Sequence, residues 1–273
     1  MKVLFNNSVL IILGILTLQS CRREDQFENS FTSTSYDLTT QQNLLEANEL
    51  EINYQIENGF KETSTRSFPT RSWANPKNTY PNTLTIDYGK SGVTGPYGHI
   101  RRGVLVVQIS APIYLAGSVR IVNHNNFYID DVKVEGTVIL SNQGKNSNNQ
   151  NLFYRDVLNR KLIFPSGKSI EWNSNQSILQ IEGNETEDFF LDDVWSIVGS
   201  SHGINRFGNE FSTQTINPLI YAVNCLWLVE GVFSITNNGD TYKIDYGNGD
   251  CNNIATLYLP NGDSKEINLN RWW

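Results

Sequence analysis

The chain of 273 residues carries 21 Lys and Arg against 28 Asp and Glu, a formal charge of −7. The basic residues are scattered, adjacent only in short pairs such as Arg101-Arg102 and Arg160-Lys161, so no basic stripe points to nucleic acid. Charged residues make up 18%. The abundance of Asn, Gly, Ser, Thr and Tyr favours an extracytoplasmic β protein over a helical one.

Residues 1–20 read as a targeting segment. Lys2 supplies a short positive start, and Val9 to Leu18 is an apolar run too short to span a bilayer. The run closes on Leu18-Gln19-Ser20-Cys21, which resembles a bacterial lipobox. That resemblance implies cleavage before Cys21 and lipid attachment to it, which would anchor the protein stably in a membrane. An ordinary signal peptide with an incidental cysteine is the alternative. Arg22 to Glu28 (RREDQFE) resembles the surface-export signals of Bacteroidota lipoproteins, and it also suits a plain solvated tether. The expected location is therefore the outer membrane, lipid-anchored, with surface-facing and periplasm-facing orientations both open.

Residues 21–38 are polar and aperiodic, and are expected to form a flexible tether. Residues 39–82 divide into a short helix and an irregular linker. Thr39 or Thr40 caps the helix, with Leu44, Leu45, Ala47, Leu50, Tyr54 and Ile56 on its apolar side. Leu50 to Glu57 also alternates at the strand period, so the helix is favoured only over its first part. Pro69, Pro76 and Pro81 break the linker, and Trp73 within it is expected to pack on the folded domain.

From Thr83 to Trp273 short alternating runs are separated by turn residues. Small parts recur at uneven spacing. Ile86-Asp-Tyr-Gly returns at Ile244, Val134-Glu-Gly at Val229, and aromatic-Asp-Asp-Val at Phe127–Val132 and Phe189–Val194. Uneven spacing argues against a solenoid or propeller. The expectation is an all-β fold: an antiparallel meander of hairpins, folded as one or two sandwich-like layers, with a short N-terminal helix. Two similar halves within 83–273 are left open.

Two cysteines remain once Cys21 carries lipid. An even remainder in an oxidising compartment suggests a Cys225–Cys251 disulfide, worth on the order of 3 kcal/mol in the chain-entropy model.

No set of residues stands out for catalysis. Asp130-Asp131 and Asp192-Asp193 occupy matching places in the repeat and are read as strand-entry turns, ahead of calcium ligation or glycoside hydrolysis. Asp245 to Asp250 (DYGNGD) has the oxygens of a calcium loop but lacks its closing Glu, and is read as a strand end. Gly89, Gly92, Gly95 and Gly98 precede no helix, so they form no phosphate loop. His99, His124 and His202 lack metal-ligand spacing. Ser200-Ser201-His202-Gly203 is not a nucleophile elbow. No cofactor or metal is expected, and the aromatic residues are read mainly as core, with an exposed Trp or Tyr platform for sugars as the other option.

The motifs PNTLTIDYGKSGVTG, RRGVLVVQIS, NNFYIDDVKVEGT, FFLDDVWSIVG, NCLWLVEGVFSITNNG and IDYGNGDCNN run in order through Tyr80 to Leu269. On these motifs the chain resembles a family of uncharacterised lipoproteins of Bacteroidota. The resemblance implies a secreted, lipid-anchored, mostly β protein and implies no activity. Relatives of this kind often carry a cysteine in the loop after the first acidic-Tyr/Phe-Gly; here that loop, Lys90 to Thr94, has none. The functional expectation is a non-enzymatic envelope or surface protein with a structural, binding or adhesive role. The alternative is a carbohydrate-binding or carbohydrate-processing accessory lipoprotein. The expected partner is the membrane through Cys21, with a glycan or an envelope protein left open.

Overall fold

The computed structural model describes residues 8–57, 69–95, 98–186, 192–225 and 227–269, with side chains in the N-terminal helix from Phe31 onward. The side chain of Cys21 and the pair Trp272-Trp273 lie outside the described residues. One helix, α1 (Ser8–Glu57), precedes fourteen strands. These are β1 (Thr70–Trp73), β2 (Asn82–Asp87), β3 (Val93–Thr94), β4 (Ile100–Ile109), β5 (Val119–Ile129), β6 (Val132–Lys145) and β7 (Asn151–Ile163). They continue as β8 (Ser169–Glu182), β9 (Val194–Ile204), β10 (Glu210–Ala222), β11 (Leu228–Asn237), β12 (Asp240–Asn248), β13 (Ile254–Tyr258) and β14 (Ser264–Asn268).

The fold is an antiparallel meander, as expected. Each strand pairs with its neighbour in sequence in one continuous sheet, apart from the short β3, which pairs with β4 beside the β2–β4 contact. The sheet does not close into a barrel. Its inner face packs on α1, and one hydrophobic cluster runs from Phe31 in the helix to Leu269 after β14.

Glycine bulges bend the strands around the helix. At the two Val-Glu-Gly steps, Gly136 has φ 101° and Gly231 φ 111°. A Cβ on Gly136 would lie 2.6 Å from the Asn159 carbonyl oxygen, and one on Gly231 would lie 2.2 Å from that of Pro218. The register slips at both steps, between Glu135 and Thr137 and between Glu230 and Val232. The repeated tripeptide therefore marks a bulge where strand twist increases and a side chain has no room.

The helix differs from the sequence expectation in extent. It includes the stretch read as tether, and Phe31, Thr34, Ser35, Asp37 and Leu38 are buried. Periodicity is missing because α1 buries polar faces as well as apolar ones. Thr34, Ser35, Thr39, Thr40, Gln42, Asn43 and Glu46 are all buried beside Leu44, Leu45 and Leu50. Within the helix, the Ser35 hydroxyl donates to the Phe31 carbonyl at 2.7 Å and Thr39 to that of Ser35 at 2.9 Å. The linker also differs. Residues 58–68 lie outside the described residues, but Thr70–Trp73 forms a strand on β2 and Trp73 packs against the core.

Helix and sheet meet through charge pairs. Arg155 of β7 grips Glu46 with both arms of its guanidinium, at 3.0 and 2.5 Å, and its Nε donates to Gln176 of β8 at 2.8 Å. Arg120 of β5 pairs with Glu49 and reaches Asn53, and Arg206 after β9 pairs with Asp37, 2.7 Å from Nε to Oδ2. Tyr88 donates to Glu51 at 3.0 Å, and the Leu228 amide donates to Asn43 at 2.9 Å. Gln176 donates to Gln42 at 2.9 Å. Strands from both halves of the sheet thus bond to one helix.

His124 of β5 is held by partners within the sheet. Its Nδ1 lies 2.8 Å from the Gly136 carbonyl, and Arg160 donates to Nε2 at 2.9 Å. A carbonyl requires Nδ1 to carry the proton and a guanidinium requires Nε2 to accept, so the ring is neutral. Burial first, then the Arg160 charge, pushes its pKa down to about 3.

Breaking one buried pair tests this account. Arg155→Met strands the Glu46 carboxylate, and a loss of about 3–5 kcal/mol in urea unfolding is expected. Combining it with Glu46→Leu should recover much of that loss; equal losses in the single and double variants would contradict a paired origin.

Candidate ligand cleft

The meander gives the sheet two unlike ends. At one end lie the short turns of β5–β6 (Asp130-Asp131), β7–β8 (164–168), β9–β10 (205–209), β11–β12 (238–239) and β13–β14 (259–263). At the other lie the connections 110–118, 146–150, 183–193, 223–227 and 249–253, of which 110–118 and 183–193 are the long ones. The N-terminal part of the described helix sits toward the short turns: Phe31 stacks edge-on against Tyr242 at 4.7 Å, and Asp37 meets Arg206. The C-terminal part sits toward the start of β5, where Asn53 and Glu49 meet Arg120.

A small cleft of about 70 Å3, partly open to solvent, lies between α1 and the sheet, beside the β4–β5 loop. Its apolar wall includes Leu140, Phe153, Ile178, Trp195 and Tyr221, with Ile113 and Tyr114 contributed by the β4–β5 loop. Phe153 and Trp195 meet edge to face, with ring centres 5.8 Å apart. Such a concave, largely apolar surface with a few polar groups is the usual form of a small-molecule site.

The polar groups in the wall are Glu46, Glu49, Asn53, Arg155 and Asp193. Glu46 and Glu49 are taken up by Arg155 and Arg120. Asp193 differs. Its residue is 4% exposed, and its one side-chain hydrogen bond to a described residue comes from Gln180 Nε2, at 2.7 Å to Oδ1. Gln180 is itself fixed by Asn151 at 2.6 Å. Burial pushes the Asp193 carboxyl up to about 7, with the Gln180 bond opposing and the Asp192 charge adding to the rise.

The two Asp-Asp pairs, alike in sequence, have separate fates. Asp130 and Asp131, with φ 46° and 70°, make the two-residue turn between β5 and β6. Asp130 accepts from the Ile100 amide at 2.7 Å and pairs with His99 at 2.5 Å. That is the strand-entry role expected of both pairs. Asp192 accepts from Thr186, while Asp193 turns into the cleft at the opposite end of the sheet. Sequence alone equated these pairs because the difference lies in which end of the meander each occupies.

Other sequence candidates resolve as structure. Asp87 and Asp245 each accept from the amide two residues on, Gly89 at 2.7 Å and Gly247 at 2.9 Å. Tyr88 and Tyr246 between them are buried; Asp87 ends β2 as expected, whereas β12 continues past Asp245 to Asn248. Ser200 to Gly203 runs along β9, and Ser201 bonds to Thr213 of β10 at 2.7 Å. Among the described residues no group of three His, Cys, Asp or Glu side chains could hold a metal ion. Trp172 is buried, and Trp73, Trp195 and Trp227 pack against the core.

Cys225 and Cys251 form a disulfide. It ties the β10–β11 connection to the β12–β13 connection. Val223, two residues before Cys225, lines the cleft, so the bond also fixes part of the cleft wall.

Comparisons with family models, curated proteins and solved structures find no match for this chain. No described helix is long and apolar enough to cross a membrane.

The raised Asp193 pKa makes a signed prediction. Between its ordinary value of 3.8 and about 7, the folded chain holds a proton that the unfolded chain has released. Stability from this group is therefore full below the lower value and is lost as pH rises through the upper one. Asp193→Asn cannot ionise, so its melting temperature should rise relative to the parent between about pH 4 and 7 and level off above that. Melting curves at matched pH check this; a constant difference across the range would refute it.

Proposed function

We propose that the chain is a non-enzymatic, lipid-anchored envelope protein of the Bacteroidota lipoprotein type, which binds a small ligand in the cleft between α1 and the sheet. The observation that carries the binding role is the cleft itself, with aromatic and aliphatic walls open to solvent and polar groups already held in place. The lipobox-like Leu18 to Cys21 supports attachment to the outer membrane through Cys21. A non-enzymatic reading agrees with the wiring of the carboxylates. Glycoside hydrolysis needs two working carboxyl groups, and among the described residues of the wall Glu46 and Glu49 are each bound to an arginine, leaving Asp193 as the one carboxyl group without one. Stacking on an exposed tryptophan, the usual route to sugar binding, has little support, since the described tryptophans are buried or pack against the core.

Two experiments test this reading. Cys21→Ala should abolish incorporation of radiolabelled palmitate, and continued labelling would remove the lipid anchor from the proposal. For the cleft, the full chain in phosphatidylcholine nanodiscs is titrated with 2-phenylethanol, a neutral aromatic probe, and followed by ligand-observed NMR against empty nanodiscs. Saturable binding is expected, weakened about tenfold or more by Leu140→Trp, which fills the cleft. Binding that Leu140→Trp leaves unchanged would place the probe elsewhere.

A further inference from the structure

Among the described residues the cleft wall carries three carboxylates and one guanidinium, and the way they are matched is uneven. Arg155 already uses its Nε and both terminal nitrogens. Its two terminal nitrogens bond Glu46 and its Nε bonds Gln176, so it offers no free fork to an anionic ligand. Glu49 is matched from outside the lining by Arg120. Asp193 is the carboxylate left over, buried at 4% exposure and held in place by the Asn151–Gln180 chain. No cation among the described residues forms an ion pair with it. A desolvated carboxylate without a counter-charge is an unfavourable element that a bound cation would relieve. Trp195, next but one along β9, lines the same cleft with Phe153 and Tyr221, and aromatic faces attract cations as well as apolar groups.

We propose that the cleft takes an organic cation with an apolar body, its ammonium group seated on Asp193 and its apolar part against Trp195, Phe153 and Tyr221. This assignment rests on the binding reading above and names the ligand class for the same site. The interaction is a charge-assisted hydrogen bond from the ammonium to a carboxylate that the fold has already oriented. It should weaken as pH falls through about 7, when Asp193 takes up a proton while an alkylammonium keeps its charge. The charged and titratable groups around Asp193 are Glu46 and Glu49 from α1, Arg155 from β7, Glu182 from β8, Tyr221 from β10, Tyr114 from the β4–β5 loop, and adjacent Asp192. Of these, Asp192 acts on its titration, and in the direction that raises it.

Three probes of one shape provide the test: 2-phenylethylammonium, 2-phenylethanol and phenylacetate, each titrated into the full chain in phosphatidylcholine nanodiscs at pH 8. The ammonium should bind roughly tenfold or more tightly than the alcohol, and phenylacetate more weakly than either. Asp193→Asn should bring the ammonium to the level of the alcohol. If Asp193→Asn does not fold, the parent chain still decides the matter, since its ammonium affinity should fall between pH 8 and pH 5.5 while its alcohol affinity stays level. Equal binding of ammonium and alcohol, or tighter binding of phenylacetate, overturns the ligand class and leaves the cleft as a binding site. No binding of any of the three overturns the cleft as a binding site, and the class with it.

Discussion

The structure depends on neutralising a polar helix inside a curled sheet. A segment rich in Glu, Asp, Asn and Thr has little reason to leave water. It does so here because the strands present guanidinium and amide groups where the helix presents carboxylates: Arg155 to Glu46, Arg120 to Glu49 and Arg206 to Asp37. Such contacts add little net stability over a well-packed apolar alternative, but losing one partner is costly. Their effect is to fix rotation and height. A helix that buries leucines alone could slide by a turn, whereas one that must align Asp37, Glu46 and Glu49 with arginines on β5, on β7 and in the β9–β10 turn has one seat.

That arrangement also explains what was legible beforehand. The strands were, because Leu84, Ile86, Leu105 and Val107 alternate with more exposed neighbours along β2 and β4. The Cys225–Cys251 bond was legible from the cysteine count. The helix was visible only where leucines cluster, at Leu44, Leu45 and Leu50. Its earlier part, Phe31 to Leu38, satisfies its polar side chains through partners more than a hundred residues away, such as Asn205 with Thr34 and Arg206 with Asp37. Hydropathy within a short window carries no trace of such partners.

The cleft was hidden for a related reason. Its wall draws on α1, β6, β7, β8, β9, β10 and the β4–β5 loop, and no short motif spans them. The Phe-Leu-Asp-Asp-Val run stands out in the sequence, yet its twin at Phe127 to Val132 points to a turn for both copies. One sequence pattern serves two purposes: at the short-turn end it reverses the chain, and at the long-loop end it delivers a carboxylate to a hollow. The glycine steps behave differently. Both Val-Glu-Gly copies do the same thing, because a backbone carbonyl blocks a side chain at Gly136 and at Gly231.

The continuity of α1 bears on how the domain would stand on a membrane. With lipid on Cys21, as proposed, the ten residues from there to Phe31 are helical and span ~15 Å at 1.5 Å per residue. A coil of that length would let the domain tumble over a wide cone and bring any face to the bilayer. A helix that continues without interruption into the core transmits direction as well as distance, and on such an anchor the end of the sheet where Phe31 packs would face the lipid. On that anchor the cleft would lie at the end of the domain away from the bilayer, with no hinge needed to turn it there.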